Sequence, residues 1–248
     1  MTSKLLVGIH GASGKMGQTI IELADDFKDI TISYKHSTSS SNNDLNRLFE
    51  SSDVVVDFTS PAALSSLLSK ALHFNKKLLI GTTGFSAEQY DQIHQAAKKI
   101  AIFCSPNTSV CVNLMSQVLK LAASKLPASD YDVDIIDFHH KQKKDAPSGT
   151  ALMFAKSIDE GRGHENSSRI FNRHAAGQRA EGDIDFCSIR SGNQPAKLEV
   201  IFSGMHESIA FTHQAYSRSV FASQALRIAV WLYSMPVGFY TMNDYTVN

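Results

Sequence analysis

The chain has 248 residues, with 24 Lys and Arg against 24 Asp and Glu, so its formal net charge is zero. A neutral chain has no overall positive field for nucleic-acid phosphates or anionic lipid, and no uncharged apolar stretch reaches the ~18 residues that span a bilayer. We therefore expect neither a nucleic-acid nor a membrane partner. Cys104, Cys111 and Cys187 form no Cys-x-x-Cys pair, which fits a reducing, cytoplasmic location.

The first hundred residues alternate short apolar runs with helical patterns. Apolar spacing and helix-start signals predict helices over about 20–27, from Pro61 to Ala71 and from Ser86 to about Lys99. The polar segment Ser37–Asn43 is predicted to be a surface loop. Alternation with short connections predicts a doubly wound, Rossmann-like parallel sheet. Its strands are predicted at Leu5–Ile9, Ile30–Tyr34, Asp53–Phe58, Lys77–Ile80 and Ile100–Cys104.

Beyond Pro106 the pattern changes toward clustered strands. Such clustering indicates a second, α+β domain with an open mixed or antiparallel sheet. We expect a dinucleotide-binding domain over residues 1–109 with 220–248 and a substrate-binding domain over 110–219, since the last helix could pack back on the first domain. Helices are predicted at Val110–Leu126, Ser148–Ile158 and Val220–Tyr233, and strands at Asp132–Phe138, Asp185–Arg190, Leu198–Phe202 and Ser208–Thr212.

A glycine-rich loop, Gly-Ala-Ser-Gly-Lys-Met-Gly, follows the first predicted strand at residues 11–17. The usual dinucleotide fingerprint is Gly-x-Gly-x-x-Gly, whereas here the glycines are three apart and Ser13 takes the second-glycine site. Gly11 would permit the tight turn, Gly14 would let the backbone approach a pyrophosphate, and the helix N-terminus would offer N–H groups to it. Glycines also make ordinary turns, so the loop's place between strand and helix is what favours nucleotide binding.

The end of the second predicted strand bears on the choice of cofactor. An acid there would accept the ribose 2′-hydroxyl of NAD, but none is present. Lys35, with Lys15 and His36, could meet a 2′-phosphate, although Lys35 could also be an ordinary solvated lysine. We expect NADPH to be accepted at least as well as NADH. Two more loops, 81–84 and 105–108, leave the carboxyl ends of strands and could border the nicotinamide and ribose, or be simple turns.

The most informative stretch is Asp-Phe-His-His-Lys-Gln-Lys-Lys-Asp-Ala-Pro-Ser-Gly-Thr, residues 137–150. His139 and His140 would point to opposite faces of a strand, so both can face one ligand only where the strand has ended. Pro147 can open a helix with 148–150 in its first turn, where amides attract an anion. Imidazoles, ammoniums and a helix N-terminus together suit a small anionic substrate.

This stretch has two other interpretations. Paired histidines could be half of a zinc site, but no Cys or acidic partner lies at ligand spacing, so we predict no metal. The lysines at 141, 143 and 144 could be a solvated charge run, but the adjacent Pro-Ser-Gly-Thr makes that interpretation insufficient.

With these motifs, the sequence resembles the dihydrodipicolinate reductase (4-hydroxy-tetrahydrodipicolinate reductase) family. The matching segments are 11–17, Asp57–Pro61, Gly81–Phe85, Ser109–Asn113, the His139-His140-x-x-Lys143 and Asp145–Thr150 motif, Ser217-Arg218 and Phe221-Ala222. The resemblance implies reduction of a cyclic imine dicarboxylate with NADH or NADPH in lysine and diaminopimelate biosynthesis. It also implies a homotetramer joined through the second-domain sheets.

The resemblance also implies residue roles. His139 would be the proton donor or acceptor, and Lys143 the donor to the developing substrate anion. The substrate carboxylate would be bound by His140, Ser148, Gly149 and Thr150. The cofactor would be held by Gly11, Ala12, Ser13, Gly14, Lys15, Met16, Gly81, Thr82, Thr83, Ser105, Pro106, Asn107 and Thr108, with Lys35 near the adenosine ribose.

The chain departs from the family pattern at Cys111, where glycine is usual, and at Ala196–Leu198, where relatives show Gly-x-His. The second departure leaves the assembly open. Two other functions are alternatives: another amino-acid-pathway dehydrogenase, which would lack the His-His-x-x-Lys motif, and a catalytically idle NAD(P)H sensor, which would need neither His139 nor Lys143.

Overall fold

The computed structural model describes residues 4–37, 42–164 and 166–246, without the side chains of 42, 43 and 246. The chain forms two compact units, unit 1 (Met1–Val110 with Arg218–Asn248) and unit 2 (Cys111–Ser217). Within the described ranges, no helix has the length and apolar character needed to cross a membrane.

The elements alternate in the first part of the chain and cluster by type in the second. The strands are β1 (Leu5–His10), β2 (Ile30–His36), β3 (Val54–Asp57), β4 (Lys77–Ile80), β5 (Ala101–Cys104), β6 (Asp132–His139), β7 (Arg169–Ile170), β8 (Ile184–Arg190), β9 (Ala196–Ser203), β10 (Ser208–Ala215) and β11 (Gly238–Tyr240). The helices are α1 (Lys15–Leu23), α2 (Asn42–Glu50), α3 (Leu64–His73), α4 (Ala87–Ala96), α5 (Val110–Ala123), α6 (Gly149–Arg162), α7 (Arg173–Ala176), α8 (Ser219–Ser234) and α9 (Met242–Thr246).

The described residues of unit 1 form a sheet in the order β11-β5-β4-β3-β1-β2, with every neighbouring pair parallel. Successive side chains of a strand point to opposite faces, and both faces of this sheet are covered. Val54 and Val56 of β3 pack with α1 and α8, whereas Val55 packs with α2, α3 and α4. The predicted doubly wound parallel sheet is confirmed.

Unit 2 contains a mixed sheet in the order β10-β9-β6-β8-β7 among its described residues. β9 runs antiparallel to β10 and β6, whereas β6 and β8 are parallel. Burial alternates along β9, so one face of the sheet lies in the core. α6 packs on β6, and it lies so close to α5 that a Cβ at Gly161 would be 2.2 Å from the carbonyl oxygen of Lys120. The predicted α+β class with an open mixed sheet is confirmed.

Several boundaries differ from the prediction. α2 begins at Asn42, inside the segment predicted as a loop, while residues 38–41 of that segment lie outside the described residues. Its buried Leu45, Leu48 and Phe49 have helical spacing, which is the signal that the loop prediction overlooked. The short β7, α7, β11 and α9 were also not predicted.

Candidate functional site

The glycine loop of unit 1 connects β1 to α1 in a conformation that requires glycine. Gly11 has a φ of +94°, and a Cβ there would lie 2.5 Å from the carbonyl oxygen of Phe58. A Cβ at Gly17 would lie 2.3 Å from the carbonyl oxygen of Gly11. The backbone amides of Gly11 and Ala12 both donate to the carbonyl oxygen of His36 at 2.9 Å. The loop is therefore tied to the end of β2.

The start of α1 suits an anionic group. Its N-cap residue is Gly14, no described side chain caps the first turn, and that turn, beginning at Lys15, contains no acid. The N–H groups of an uncapped first turn and the positive end of the helix dipole attract phosphate. Gly11, Ala12, Ser13, Gly14, Lys15 and Met16 therefore fit a dinucleotide pyrophosphate in conformation and charge.

Asp57, the last residue of β3, connects the neighbouring loops of unit 1. Its Oδ1 lies 2.7 Å from His10 Nδ1 and accepts a 2.7 Å bond from Thr59 Oγ1. Its Oδ2 accepts a 2.6 Å bond from Thr82 Oγ1, which in turn accepts from the amide of Thr59 at 2.8 Å. The carboxylate is 2% exposed. One buried group thus holds the ends of β1 and β3 against the loop after β4.

The predicted loops after β4 and β5 leave neighbouring strands at the same sheet edge. A Cβ at Gly81 would lie 2.2 Å from the ring of Phe58, so the backbone approaches closely there. After β5, Ser105 Oγ donates to the carbonyl oxygen of Asn107 at 2.8 Å, and Thr108 Oγ1 donates to that of Phe221 in α8 at 2.9 Å. The structure therefore brings together Gly81, Thr82, Thr83, Ser105, Pro106, Asn107 and Thr108.

Two of the basic residues expected at the adenosine ribose, Lys35 and His36, are on opposite faces of β2. Lys35 lies within β2 and lines a groove with Phe27 and Thr31. His36 is buried, and its ring centroid lies 5.0 Å from that of His10. Consecutive strand residues point to opposite faces. Lys35 and His36 therefore do not face one ligand together.

In unit 2, β6 ends on the first histidine of the predicted motif. His139 is its last residue and is buried, and His140 follows outside the strand. His139 Nδ1 lies 2.8 Å from Asp137 Oδ1, within ion-pair distance but without the alignment of a hydrogen bond. With Nδ1 directed at this carboxylate, Nε2 is the nitrogen that can exchange a proton with a ligand.

Lys143 lies in the following loop and forms an ion pair. Its Nζ contacts Asp145 Oδ1 and Oδ2 at 2.8 and 2.9 Å. Burial alone would raise the pKa of the Asp145 carboxyl, but the Lys143 ammonium, a backbone hydrogen bond and the charge of Arg190 together lower it. The Asp145 side chain is 59% exposed, so the pair is accessible to an anion that could replace it.

The N-terminus of α6 follows this loop. The helix begins at Gly149, so Ser148 is its N-cap and not part of its first turn, which corrects the prediction. Ser148 Oγ accepts from the amide of Ala151 at 3.2 Å, because a hydroxyl at this position satisfies an N–H group of the first turn. Gly149 is exposed, with open space where a Cβ would lie, and Thr150 is half-buried.

Asp137 links β6 to α6 and to β8. Its Oδ2 accepts from the amide of Ser148 and from Arg190 Nη2, both at 2.7 Å. Arg190 Nη1 also donates to the Asp137 carbonyl oxygen at 2.7 Å, and Nη2 to that of Asp145 at 2.8 Å. Burial raises the pKa of the Asp137 carboxyl, but its contacts with His139, Arg190 and Ser148 lower it well below its usual range.

In the described part of the chain, no group of three or more His, Cys, Asp or Glu side chains is placed to hold a metal ion. Cys104 is buried, and burial followed by the charge of Asp57 raises the pKa of its thiol to about 12. It is therefore a protonated core residue.

Comparison with known families covers both units. The family model "Dihydrodipicolinate reductase, N-terminus" matches residues 5–108, and "Dihydrodipicolinate reductase, C-terminus" matches residues 111–245. The chain belongs to the dihydrodipicolinate reductase family. The family resemblance seen in the sequence is therefore confirmed.

Individual relatives agree with this family. A 4-hydroxy-tetrahydrodipicolinate reductase of Rickettsia bellii is 40% identical over 242 residues, covering 98% of this chain and 94% of that protein. One of Zymomonas mobilis is 40% identical over 248 residues, covering 98% and 97%. A dipicolinate-bound dihydrodipicolinate reductase from Paenisporosarcina superposes with a TM-score of 0.76 at 28% identity, covering 97% of this chain and 99% of that one.

Sequence reasoning assigned no role to several residues that organise the two sites of this reductase-family chain. The sequence does mark Asp57, because it is an acid at the end of an apolar, β-branched strand. A carboxylate buried there needs hydrogen-bond donors. Asp137 carries the same signal on β6. The sequence does not show which residues donate to either carboxylate. The residues without an assigned role are His10, Asp57, Asp137, Asp145 and Arg190.

Proposed function

We propose that the protein reduces 4-hydroxy-tetrahydrodipicolinate (dihydrodipicolinate) to tetrahydrodipicolinate with NADH or NADPH, as a step of lysine and diaminopimelate biosynthesis. The observation that carries the proposal is the clustering of His139, Lys143 and the N-terminus of α6 around the end of β6, in a chain of this family. Two histidines, an ammonium and a helix N-terminus suit a small dianion.

Unit 1 supports the cofactor part of the proposal. When bound, a reduced nicotinamide dinucleotide supplies the hydride. The loop from Gly11 to Met16 and the first turn of α1 bind the pyrophosphate, because their amides and helix dipole attract its charge. The loops after β4 and β5 border the remainder, and Asp57 keeps the first of them in place through Thr82.

Unit 2 supports the substrate part. Loss of the 4-hydroxyl of the substrate as water leaves a carbon–carbon double bond conjugated with the imine. Hydride addition to that bond leaves negative charge, which a nearby acid must neutralise. His139 provides that proton from Nε2, and Lys143 donates to the developing anion. For this, Lys143 breaks its ion pair with Asp145 and contacts the substrate instead. A substrate carboxylate is held by His140, Ser148, Gly149 and Thr150, with the helix dipole favouring its charge.

The dicarboxylate is supported by the Paenisporosarcina relative, whose structure holds dipicolinate. A single Lys–carboxylate contact at 4 Å is worth ~1 kcal/mol in water and ~4 kcal/mol at an effective dielectric of 20. The Lys143 side chain is 21% exposed, so its contact with substrate gains from partial exclusion of water.

The decisive experiment follows NADPH oxidation by absorbance, with the substrate generated enzymatically in the same reaction. We expect turnover that needs both NADPH and the generated substrate. Binding of NADPH without turnover would refute the reductase and favour a sensor. Turnover only with another amino-acid-pathway substrate would favour a different dehydrogenase.

The cofactor preference is part of the proposal. Lys35 is the last but one residue of β2 and no acid follows it in β2, which supports acceptance of NADPH at least as well as NADH. Comparing KM for the two cofactors, in the wild type and in Lys35→Ala, tests this. A strong NADH preference in the wild type would contradict it.

The assembly and location are also proposed. A homotetramer joined through unit 2 is supported by apolar residues on the less buried face of its sheet, where Ile136, Ile201 and the 39%-exposed Ile189 share one side. Light scattering should then report four chains, and a monomer at micromolar concentration would refute it. The cytoplasmic location expected from cysteine usage can be checked by cell fractionation.

A further inference from the structure

We propose that Asp137 is a positioning residue that holds the imidazole of His139 and the N-terminus of α6 in one fixed arrangement. The proposal rests on the role proposed above for His139. It assigns to this buried carboxylate a function in proton transfer beyond holding the fold together.

The first observation is that both oxygens of one carboxylate are engaged. Asp137 is 0% exposed. Oδ1 lies 2.8 Å from His139 Nδ1, and Oδ2 receives the amide of Ser148 and the guanidinium of Arg190, both at 2.7 Å. The imidazole of His139 and the N-terminus of α6 therefore contact the same side chain. A shift of this carboxylate would move both.

The second observation is that Arg190 compensates the buried charge. Its guanidinium donates to the Asp137 carboxylate and carbonyl and to the Asp145 carbonyl. An unpaired buried carboxylate would be protonated or strongly destabilising. The three contacts of Asp137 instead lower the pKa of its carboxyl well below the usual range. Asp137 therefore stays ionised at every pH at which the enzyme would work.

An ionised carboxylate 2.8 Å from Nδ1 favours the tautomer with its proton on Nδ1, so that Nε2 is the exchanging nitrogen. The other charged groups near His139 are Arg190, its register partner on β8, and the Lys143–Asp145 pair in the next loop. On β9, Lys197 is the register partner of the neighbouring Phe138.

The test uses two variants of Asp137 and one matched control. Asp137→Asn removes the charge with little change in shape, whereas Asp137→Glu keeps the charge on a longer side chain. Asp159→Asn is the control. Asp159 lies in α6 of the same unit, is 2% exposed and forms an ion pair with Arg169, but it does not contact His139. A residue with only a structural role should behave like Asp159.

For Asp137→Asn we expect kcat to fall ~10- to 100-fold, part of the 10²–10⁴ typical of a proton donor, with the Kd for NADPH unchanged. Loss of the charge removes the group that faces the Nδ1 proton of His139, so the pH profile of kcat should change. Asp137→Glu keeps the charge, so it should retain more of kcat than Asp137→Asn, but the displaced carboxylate should hold kcat below that of the wild type. Asp159→Asn should lower Tm and leave kcat and its pH profile unchanged.

A readout independent of turnover separates this proposal from the function it rests on. The ¹⁵N imidazole signals of His139, identified by their loss in His139→Gln, should report the Nδ1–H tautomer in the wild type and a mixture in Asp137→Asn. If the wild type reduces no substrate, the proposed function fails, while the tautomer shift still tests the role of Asp137. An unchanged tautomer, or a folded Asp137→Asn with wild-type kcat and pH profile, would overturn the inference.

Discussion

Two buried aspartates, one in each unit, have different hydrogen-bond partners and therefore different effects on their surroundings. Asp57 closes β3 and is held by two threonine hydroxyls and the ring of His10. Asp137 lies near the end of β6 and is held by a guanidinium, a backbone amide and the ring of His139. Both are almost completely buried. Their burial is alike, and only their partners differ.

The difference indicates what each carboxylate contributes. Hydroxyl donors fix the loops beside Asp57, so its effect is mainly on loop geometry at the proposed dinucleotide site. The guanidinium of Arg190 keeps a full charge on Asp137 next to an imidazole, so its effect is mainly electrostatic. Variants of Asp137 should therefore change the chemical step, and variants of Asp57 should change cofactor affinity.

The largest expected effect is on the proposed proton donors. His139→Ala and Lys143→Ala should each lower kcat by ~10²–10⁴, as is typical of a lost proton donor, while the Kd for NADPH stays unchanged. Steady-state kinetics and fluorescence titration of NADPH measure the two quantities. Lys144→Ala is the matched control, since Lys144 is exposed in the same loop. An unchanged kcat in the two variants would remove the assigned roles.

A smaller effect is expected at the helix that follows. Thr150→Val should raise KM for the dicarboxylate ~10-fold or more with kcat little changed, because a hydrogen bond to a charged group contributes about 1.5–3 kcal/mol. Thr150→Ser keeps the hydroxyl and should restore KM. A fall in kcat at constant KM would instead place Thr150 in the chemical step.

The corresponding variant of unit 1 should act on the cofactor. Asp57→Asn replaces an acceptor of three buried contacts by an amide, which must turn its NH₂ group toward at least one donor. We expect the Kd for NADPH to rise ~3- to 10-fold, which is about one weakened hydrogen bond, with KM for the dicarboxylate unchanged. Asp53→Asn, at the residue just before the same strand, is the control. An unchanged Kd for NADPH in Asp57→Asn would contradict the role of Asp57 in fixing the loops of the proposed dinucleotide site.

The smallest expected effect concerns acid stability. Because the pKa of the Asp137 carboxyl is lowered in the folded protein, its stabilising effect is present above the unfolded value of ~3.9 and is lost as pH falls below it. The free energy of unfolding should fall more steeply below pH ~4 in the wild type than in Asp137→Asn. Urea unfolding from pH 7 to pH 2 measures this. Parallel pH dependence in the two proteins would contradict the charge assigned to Asp137.

Much of the fold could be predicted because its signals are local. The valines of β3 and the helical spacing in α3 reflect which side chains must be buried, and the parallel sheet follows from alternating elements. α2 was missed because the polar residues before it dominated the pattern. The very short strands β7 and β11 carry too few residues for any period to show.

The sequence by itself determined the sheet-and-helix alternation, the glycine turn, and the His-His-x-x-Lys motif before a capped helix, because neighbours in the chain set each of these. Only the tertiary structure decided which carboxylates support them. Asp57 finds His10 47 residues away, and Asp137 finds Arg190 53 residues away. An aspartate in a strand has the same local pattern whether it faces water or a guanidinium. Its charge and role follow from partners that only folding brings within hydrogen-bond distance.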